Sequence, residues 1–458
     1  DFPWITFVHR GPTDCRARLL LRELGVSGEA VDVEVFCEEC GARRRMSDAF
    51  GPQAKDHMPQ CRGRRPHLRD YEEDGCTEKM QTILLGASNS WFSLVQSALS
   101  IPAPGNRLAQ LVTEHWPILE KAANLQNIGL LRQIGQLHAF AQYSDDEVWS
   151  AVEAKRSTTP TGQESHDLKS PEWRVLSNPD QANNTSDFYL REVPAPEEFK
   201  SVLEKIVLVE RLREVRALVG FTRIESPGDF DEMIELPSEQ RAPLSRRPPR
   251  WIPATEIRGE GIFVQFKEKQ IHDWIRHTKG LDERERDFQE AHRRWRRARG
   301  LEVNAGGFPG LRYVLLHSFS HALMRQLALE AGYSMASLRE RIYSAPPEAE
   351  NGPMAGVLLY TAAPDSEGTL GGLVRLGEPL ELGRHIGFAL EEMRLCASDP
   401  LCAEHHPFRD GLTLHGAACH ACLFAPETSC ERGNKYLDRW LLVDTIASNG
   451  VAFFHTEG

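Results

Sequence analysis

Ten cysteines fall into two blocks, and none lies between the blocks. Cys15, Cys37, Cys40, Cys61 and Cys76 stand near the start; Cys396, Cys402, Cys419, Cys422 and Cys430 stand near the end. Such a chain is most simply two cysteine-bearing modules with other structure between them. Ten thiols in 458 residues do not make a dense disulfide scaffold, and the sequence shows no basic region followed by an apolar secretory core. In a reducing, cytoplasmic setting, clustered cysteines point to metal or redox chemistry.

Each block contains a knuckle. Cys37-Glu-Glu-Cys40-Gly has the two-residue gap that lets both sulfurs reach one tetrahedral ion, and Gly41 eases the turn. Cys61 and Cys76 complete a four-thiolate set, with Cys15 spare and His57 and His67 as substitutes. The polar loop between these cysteines buries little, which is where a metal staple is most useful. In the second block Cys419-His-Ala-Cys422 is the knuckle, and five cysteines compete for four places. Cys402, Cys419, Cys422 and Cys430 are taken first, with Cys396 in reserve. Four thiolates close the shell of Zn²⁺, so both sites read as structural. A thioredoxin-type dithiol is disfavoured, because neither knuckle sits between a strand and a helix with no further cysteine in range.

No signature of independent catalysis appears. There is no G-x-x-x-x-G-K-[ST], no G-x-S-x-G and no kinase motif. Asp365 and Glu367, before a glycine-rich run, could make an acidic metal pair, although an Asp/Ser cap with a glycine turn is the plainer account. His317 and His321 have metal-ligand spacing on a helix but lack the glutamate of H-E-x-x-H, so they read as core or interface histidines. A metal-dependent nuclease built on these groups is one alternative function; a free-standing DNA-binding module is another.

The formal net charge of −12 excludes a generally basic nucleic-acid binder, while leaving local patches open. Of 54 basic residues 43 are Arg. Arg43, Arg44 and Arg45 beside the first knuckle, and Arg64 and Arg65 with Arg62 beside Cys61, are candidate phosphate contacts. A second cluster, Arg293, Arg294, Arg296 and Arg297, surrounds Trp295, a residue able to stack a base. The competing account is a solvated helix paired with its own "DERERDFQE".

Patterning predicts an α+β, multi-domain chain: two cysteine-rich zinc-stapled modules joined by helical and irregular segments. "AVDVEVFCEECG" reads as a strand running into Cys37. "SNSWFSLVQSALSIP" and the sequence to about 140 show helical periodicity. The run "KQIHDWIRHTKGLDERERDFQEAHRRWRRARG" reads as a long charged helix with a break near Gly280. "LRYVLLHSFSHALMRQLALEAG" puts Leu316, Phe319, Leu323 and Leu327 on one helical stripe. "MAGVLLYTAAP" reads as a buried strand. The expected divisions are 1–142, a zinc-containing module; 143–200, a linker or surface insertion; 201–310, a middle α+β region with the long helix; and 311–458, a second zinc-binding domain. The opening "DFPWITFVHRG" reads like the interior of a domain, so further residues are expected upstream.

The stretches "HSFSHALMRQLALEAGYSMASLRERIY", "GVLLYTAAPDSEGTLGGLVRLG", "CASDPLC" and "HGAACHACLFAPETSCERGNKYLDR" resemble the C-terminal zinc-binding domain of MrfA-type repair helicases. They resemble more closely the DrmB family of bacterial DISARM anti-phage systems. "DFPWITFVHRG", "CEECGARRRMSDAFG" and "GASNSWFSLVQSALSIP" resemble the N-terminal half of that family, with Ser93 where a proline is expected. The resemblance implies a structural four-cysteine zinc site on a separate subunit. That subunit docks an SNF2-like helicase, DrmA, and the pair engages DNA. It implies Cys402, Cys419, Cys422 and Cys430 for one zinc ion and Cys37, Cys40, Cys61 and Cys76 for another.

Overall fold

The computed structural model describes residues 2–11, 13–24, 30–51, 53–73, 75–83, 91–101, 107–141, 143–157, 167–180, 184–222, 241–247, 249–298, 303, 307–361, 372–448 and 450–454. Helices and sheets occur together, as the α+β reading expects. Two compact units form, one from residues 1–96 with 218–253, the other from 97–217 with 254–458.

In the first unit, helix α1 (Trp4–His9) precedes an antiparallel sheet of β1 (Leu19–Glu23), β2 (Val33–Cys37) and β3 (Arg43–Arg45), in that order. Helix α2 (Ala54–His57) and the two-stranded ribbon β4 (Arg64–Arg65) and β5 (Asp70–Tyr71) follow. Strand β2 is where the alternation of "VDVEVFC" places it. Among the described residues of this unit the core cluster is small, formed by Phe7, Val8, Val35, Ala49 and Met58. So small a core is the situation in which cross-links contribute most to holding a fold.

The second unit is built on a larger sheet. Its strands are β6 (Phe92–Leu99, in this unit from Ser97), β7 (Tyr189–Val193), β8 (Leu203–Thr222, in this unit to Ala217), β9 (Ala254–Phe266), β10 (Leu338–Ala345) and β11 (Met354–Thr361). The order is β10-β11-β9-β8-β6, with β7 beside β8. Successive side chains point to opposite faces. Ile206, Leu208, Ile262, Val264, Val357 and Leu359 therefore enter one core, and Val207, Val209, Phe263, Leu358 and Tyr360 enter another. Gly261 is required by close approach: a Cβ there would meet the Leu359 carbonyl oxygen at 2.7 Å.

Helices α3 (Arg107–Glu114), α4 (Trp116–Leu119), α5 (Leu125–Gln133) and α6 (Asp145–Ser157) enclose Leu111, Ile128, Phe140, Val148 and Val152. Helix α7 (Lys169–Ser177) contributes Val175 and Leu176 to the second sheet core. The long charged segment is two helices, α8 (Glu268–His277) and α9 (Leu281–Ala298), parted at Gly280 with φ +93°. Helix α10 (Gly310–Ala331) covers the first sheet face, with Phe319 edge-on to Phe266 at 5.0 Å. Helices α11 (Gly372–Leu376) and α12 (Pro379–Glu392) complete the set.

Three expectations are corrected. The segment around Phe92 is a strand, not a helix. Leu94 and Leu99 are buried, and Ser100 N, just past the strand end, donates to Arg213 O of β8 at 2.7 Å. Here sheet pairing prevails over a weak period. Residues 143–200 are not a simple linker, because α6, α7 and β7 bury Val148, Val152, Val175, Leu176 and Phe188. Helix α10 is buried on nearly every face rather than along one stripe, since it also carries the C-terminal loop.

Candidate metal centres

The first knuckle sits at the end of β2. Gly41, at φ +70°, donates its N–H to the Cys37 carbonyl at 3.1 Å and closes the turn. Pairing of β1 with β2 aligns Leu19 with Cys37, which brings Cys15, just ahead of β1, beside it. The two sulfurs are 3.6 Å apart. From α1, His9 Nε2 lies 3.3 Å from Cys40 Sγ, while its Nδ1 contacts the Ile5 carbonyl at 2.9 Å. His9, Cys15, Cys37 and Cys40 thus bring four ligand atoms within 4.8 Å of one another. The backbone N–H of Cys40 holds the Cys37 thiol down at about 6.

The expected partners Cys61 and Cys76 are elsewhere, so this set is corrected. They face one another on the turn containing β4 and β5. There Gly63 N approaches Cys61 Sγ at 3.4 Å, and burial together with the neighbouring Cys61 sulfur pushes the Cys76 thiol up. Among the described residues no further pair of ligating side chains joins them. His67 contacts the Pro243 carbonyl at 2.9 Å instead, and His57 is exposed at the end of α2.

The second knuckle joins Cys396 and Cys402. The sulfur pairs Cys396–Cys419, Cys402–Cys422 and Cys419–Cys422 are separated by 3.5, 3.7 and 3.8 Å. A tetrahedral ion with bonds near 2.3 Å places sulfurs about 3.8 Å apart, whereas a disulfide needs ~2.05 Å. The contact between Cys402 and Cys422 holds the Cys422 thiol down at about 5 and the Cys402 thiol up. Cys396, the reserve in the sequence reading, takes the place expected for Cys430.

Buried polar groups fix this loop. The Arg439 guanidinium, fully buried, donates to Asp399 Oδ1 at 2.7 Å, to the Met393 carbonyl at 2.9 Å and to Cys402 Sγ at 3.5 Å. Asp399 in turn accepts from Cys396 N at 2.8 Å and Ala403 N at 2.9 Å. From α9, Arg284 Nε donates to Asp438 Oδ2 at 2.7 Å. Gly416 lets that ion pair pass, because a Cβ would collide with both partners.

Cys430 belongs to a third group. Its sulfur lies 3.1 Å from His317 Nε2, and His317, His321, Glu340 and Cys430 form a set within 4.8 Å. His317 and His321, expected as core or interface histidines, are both buried and stand with Glu340 and Cys430. The visible signal was the i, i+4 spacing; Glu340 and Cys430 are brought to it only by the fold. Asp365 and Glu367 lie outside the described residues.

The arginines divide by environment. Arg44 is buried, donating to the Phe7 carbonyl at 3.0 Å and to Asp48 at 3.3 Å, so it holds α1 onto β3. Arg65 is paired with Glu72. Arg43, Arg45 and Arg64 are exposed. Trp295 and Arg296 are buried, so that face of α9 is a packing surface and not a base-stacking platform.

Known proteins bear on these sites. A family model described as a domain of unknown function, DUF8724, matches residues 1–92, and one described as the MrfA Zn-binding domain matches 319–423. The second span holds all four cysteines of the Cys396 group and stops short of Cys430. The DISARM protein DrmB of Bacillus paralicheniformis is 34% identical over 467 residues, covering 99% of this chain and 80% of that one. Among solved structures, the DUF1998 helicase MrfA bound to DNA matches with 11% identity and a TM-score of 0.23. That match covers 55% of this chain and 25% of the helicase, too slight a likeness to carry a conclusion. With a zinc-binding domain matched and two cysteine-rich groups of tetrahedral spacing, the chain carries two zinc sites. No helix among the described residues is long and apolar enough to cross a membrane.

Proposed function

The chain belongs to the DrmB family of DISARM proteins, and from that premise we propose that it is a non-catalytic, zinc-held accessory subunit in anti-phage defence. It docks an SNF2-like helicase of the DrmA type and helps that helicase engage DNA. The observation that carries this reading is the surface around the four-cysteine group. Leu395 and Leu401 flank the donors Cys396 and Cys402, yet they are 68% and 81% exposed. A metal-fixed loop that holds two leucines in water presents a rigid apolar contact for a protein partner. The closed donor shell leaves no position for substrate, which favours scaffolding over chemistry. Arg43, Arg45 and Arg64 supply exposed positive charge for DNA within the complex, whereas Arg44 and Arg65 serve the fold.

Co-expression with a DrmA-type helicase tests this. The native chain should co-purify with the helicase, and Leu395→Asp/Leu401→Asp should abolish the complex while retaining bound zinc. Equal capture of the double variant, or Mg²⁺-dependent DNA cleavage by the purified chain alone, would overturn the proposal.

A further inference from the structure

Helix α10 sets His317 and His321 one turn apart, with ring centroids 4.6 Å apart and planes at 85°. Both rings are fully buried. Each turns Nδ1 toward a main-chain carbonyl: His317 to Tyr436 O at 3.3 Å, His321 to Leu423 O at 2.7 Å. A carbonyl oxygen has only lone pairs to offer, so each Nδ1 bears a proton. In the neutral ring Nε2 then presents a lone pair.

Both Nε2 atoms point inward, at other lone pairs. His317 Nε2 is 3.0 Å from Glu340 Oε1 and 3.1 Å from Cys430 Sγ; His321 Nε2 is 3.3 Å from the same carboxylate oxygen. The remaining capacity of these acceptors is filled from outside. Glu431 N donates to Glu340 Oε1 at 3.1 Å, and Ser320 Oγ donates to Oε2. Cys430 Sγ receives backbone N–H groups from Arg432 at 3.4 Å and Asn434 at 3.2 Å, which is how a thiolate is held. The left-handed backbone at Gly433 and Asn434, with φ +57° and +61°, belongs to the turn that aims these amides.

Four lone-pair donors thus converge in a dry interior, and something positive must lie among them. Two imidazolium protons would satisfy the count, but would place two like charges in adjacent buried rings. One divalent cation supplies both charges through four bonds. With one thiolate and one carboxylate, a dication leaves the site neutral, the state a buried site requires. Two imidazoles, a thiolate and a carboxylate are borderline donors that suit zinc. The two Nδ1–carbonyl contacts are the outer contacts that orient histidine ligands.

We infer that His317, His321, Glu340 and Cys430 form a further, closed Zn²⁺ site, separate from the four-cysteine site and joining α10, β10 and the C-terminal loop.

The test is made on the native full chain, purified without chelator and without added metal. A zinc-edge anomalous difference map should show a peak among these four side chains in addition to one among Cys396, Cys402, Cys419 and Cys422. A peak at the four-cysteine group with none here would overturn the inference. Elemental analysis of His317→Gln/Cys430→Ala should show one zinc fewer per chain than native, and Cys396→Ser should lose a different one, so that the combined variant loses two. Unchanged zinc in His317→Gln/Cys430→Ala would also overturn it. If that variant does not fold, the native map decides.

Discussion

Replacing Arg439 with methionine keeps most of the side-chain volume and removes the buried guanidinium behind the four-cysteine group. Three hydrogen bonds are lost, to Asp399, Met393 and Cys402. Removing one partner of a buried ion pair costs about 3–5 kcal/mol. Asp399 keeps its two backbone donors, Cys396 N and Ala403 N, so the lower end, about 3 kcal/mol, is expected. The metal should respond as well. Four thiolates around Zn²⁺ leave a net negative site, and Arg439 is the cation that touches a sulfur. Outer-contact losses of this kind weaken metal binding roughly 10- to 100-fold. Arg439→Lys keeps the charge but not the fork that reaches three acceptors, so it should fall between. Denaturant unfolding gives the first quantity. Chelator competition followed by cadmium NMR, which separates a four-sulfur site from sites with nitrogen ligands, gives the second. Native-like metal retention and an unshifted midpoint in Arg439→Met would show that the 3.5 Å approach to Cys402 is only packing.

Two further outcomes follow from the geometry. Cys15→Ser should lose one zinc per chain by elemental analysis and Cys61→Ser should lose none, because Cys15, and not Cys61, stands with His9, Cys37 and Cys40. Burial holds the His415 ring down at about 4, against an ordinary 6.5. The neutral ring is therefore favoured by the fold, and the stability it contributes is present above 6.5 and lost as pH falls toward 4. That amounts to about 3 kcal/mol by linkage. The loss in urea midpoint between pH 7 and pH 4.5 should be smaller in His415→Gln than in the native chain, and equal losses would count against the assignment.

What was legible in the sequence was local. The two-residue gap of each knuckle, the strand into Cys37, the break at Gly280 and the buried strand after Met354 all follow from neighbours in the chain. What was not legible was which distant side chain returns to each knuckle. Cys15 reaches Cys37 through the register of β1 on β2, and His9 through a short helix whose axis no periodicity encodes. Spacing put Cys430 ahead of Cys396. The fold separates them by placing one after α12 and the other beneath α10. The i, i+4 pair at His317 and His321 carried more information than its lack of an H-E-x-x-H glutamate suggested. A helix buried on nearly every face has little use for two imidazoles unless something meets them, and that something, Glu340 and Cys430, lies on other elements. Trp295 misled in the opposite direction, since a basic helix with an aromatic looks alike whether its aromatic faces solvent or core.

The C-terminal loop explains why metal sites are concentrated where they are. From Met393 to Phe454 the described residues contain one short 3-10 helix and no named strand, yet Leu414, Tyr436, Leu437, Asp438, Arg439 and Leu441 are buried. A buried irregular chain must satisfy its backbone groups without a ladder. It does so with side chains: Asn434 Oδ1 accepts from Ala425 N and its Nδ2 donates to Ala425 O, both at 2.9 Å, and Asp438 Oδ1 accepts from Ala417 N at 3.1 Å. Such clamps require each loop segment to be in place before any of them forms. Thiolates joined through an ion impose that placement at a few points at once. Cys419 and Cys422 anchor one end of the segment and Cys430 the other, so the stretch between them is pinned on both sides, and Leu395 and Leu401 are carried on its frame.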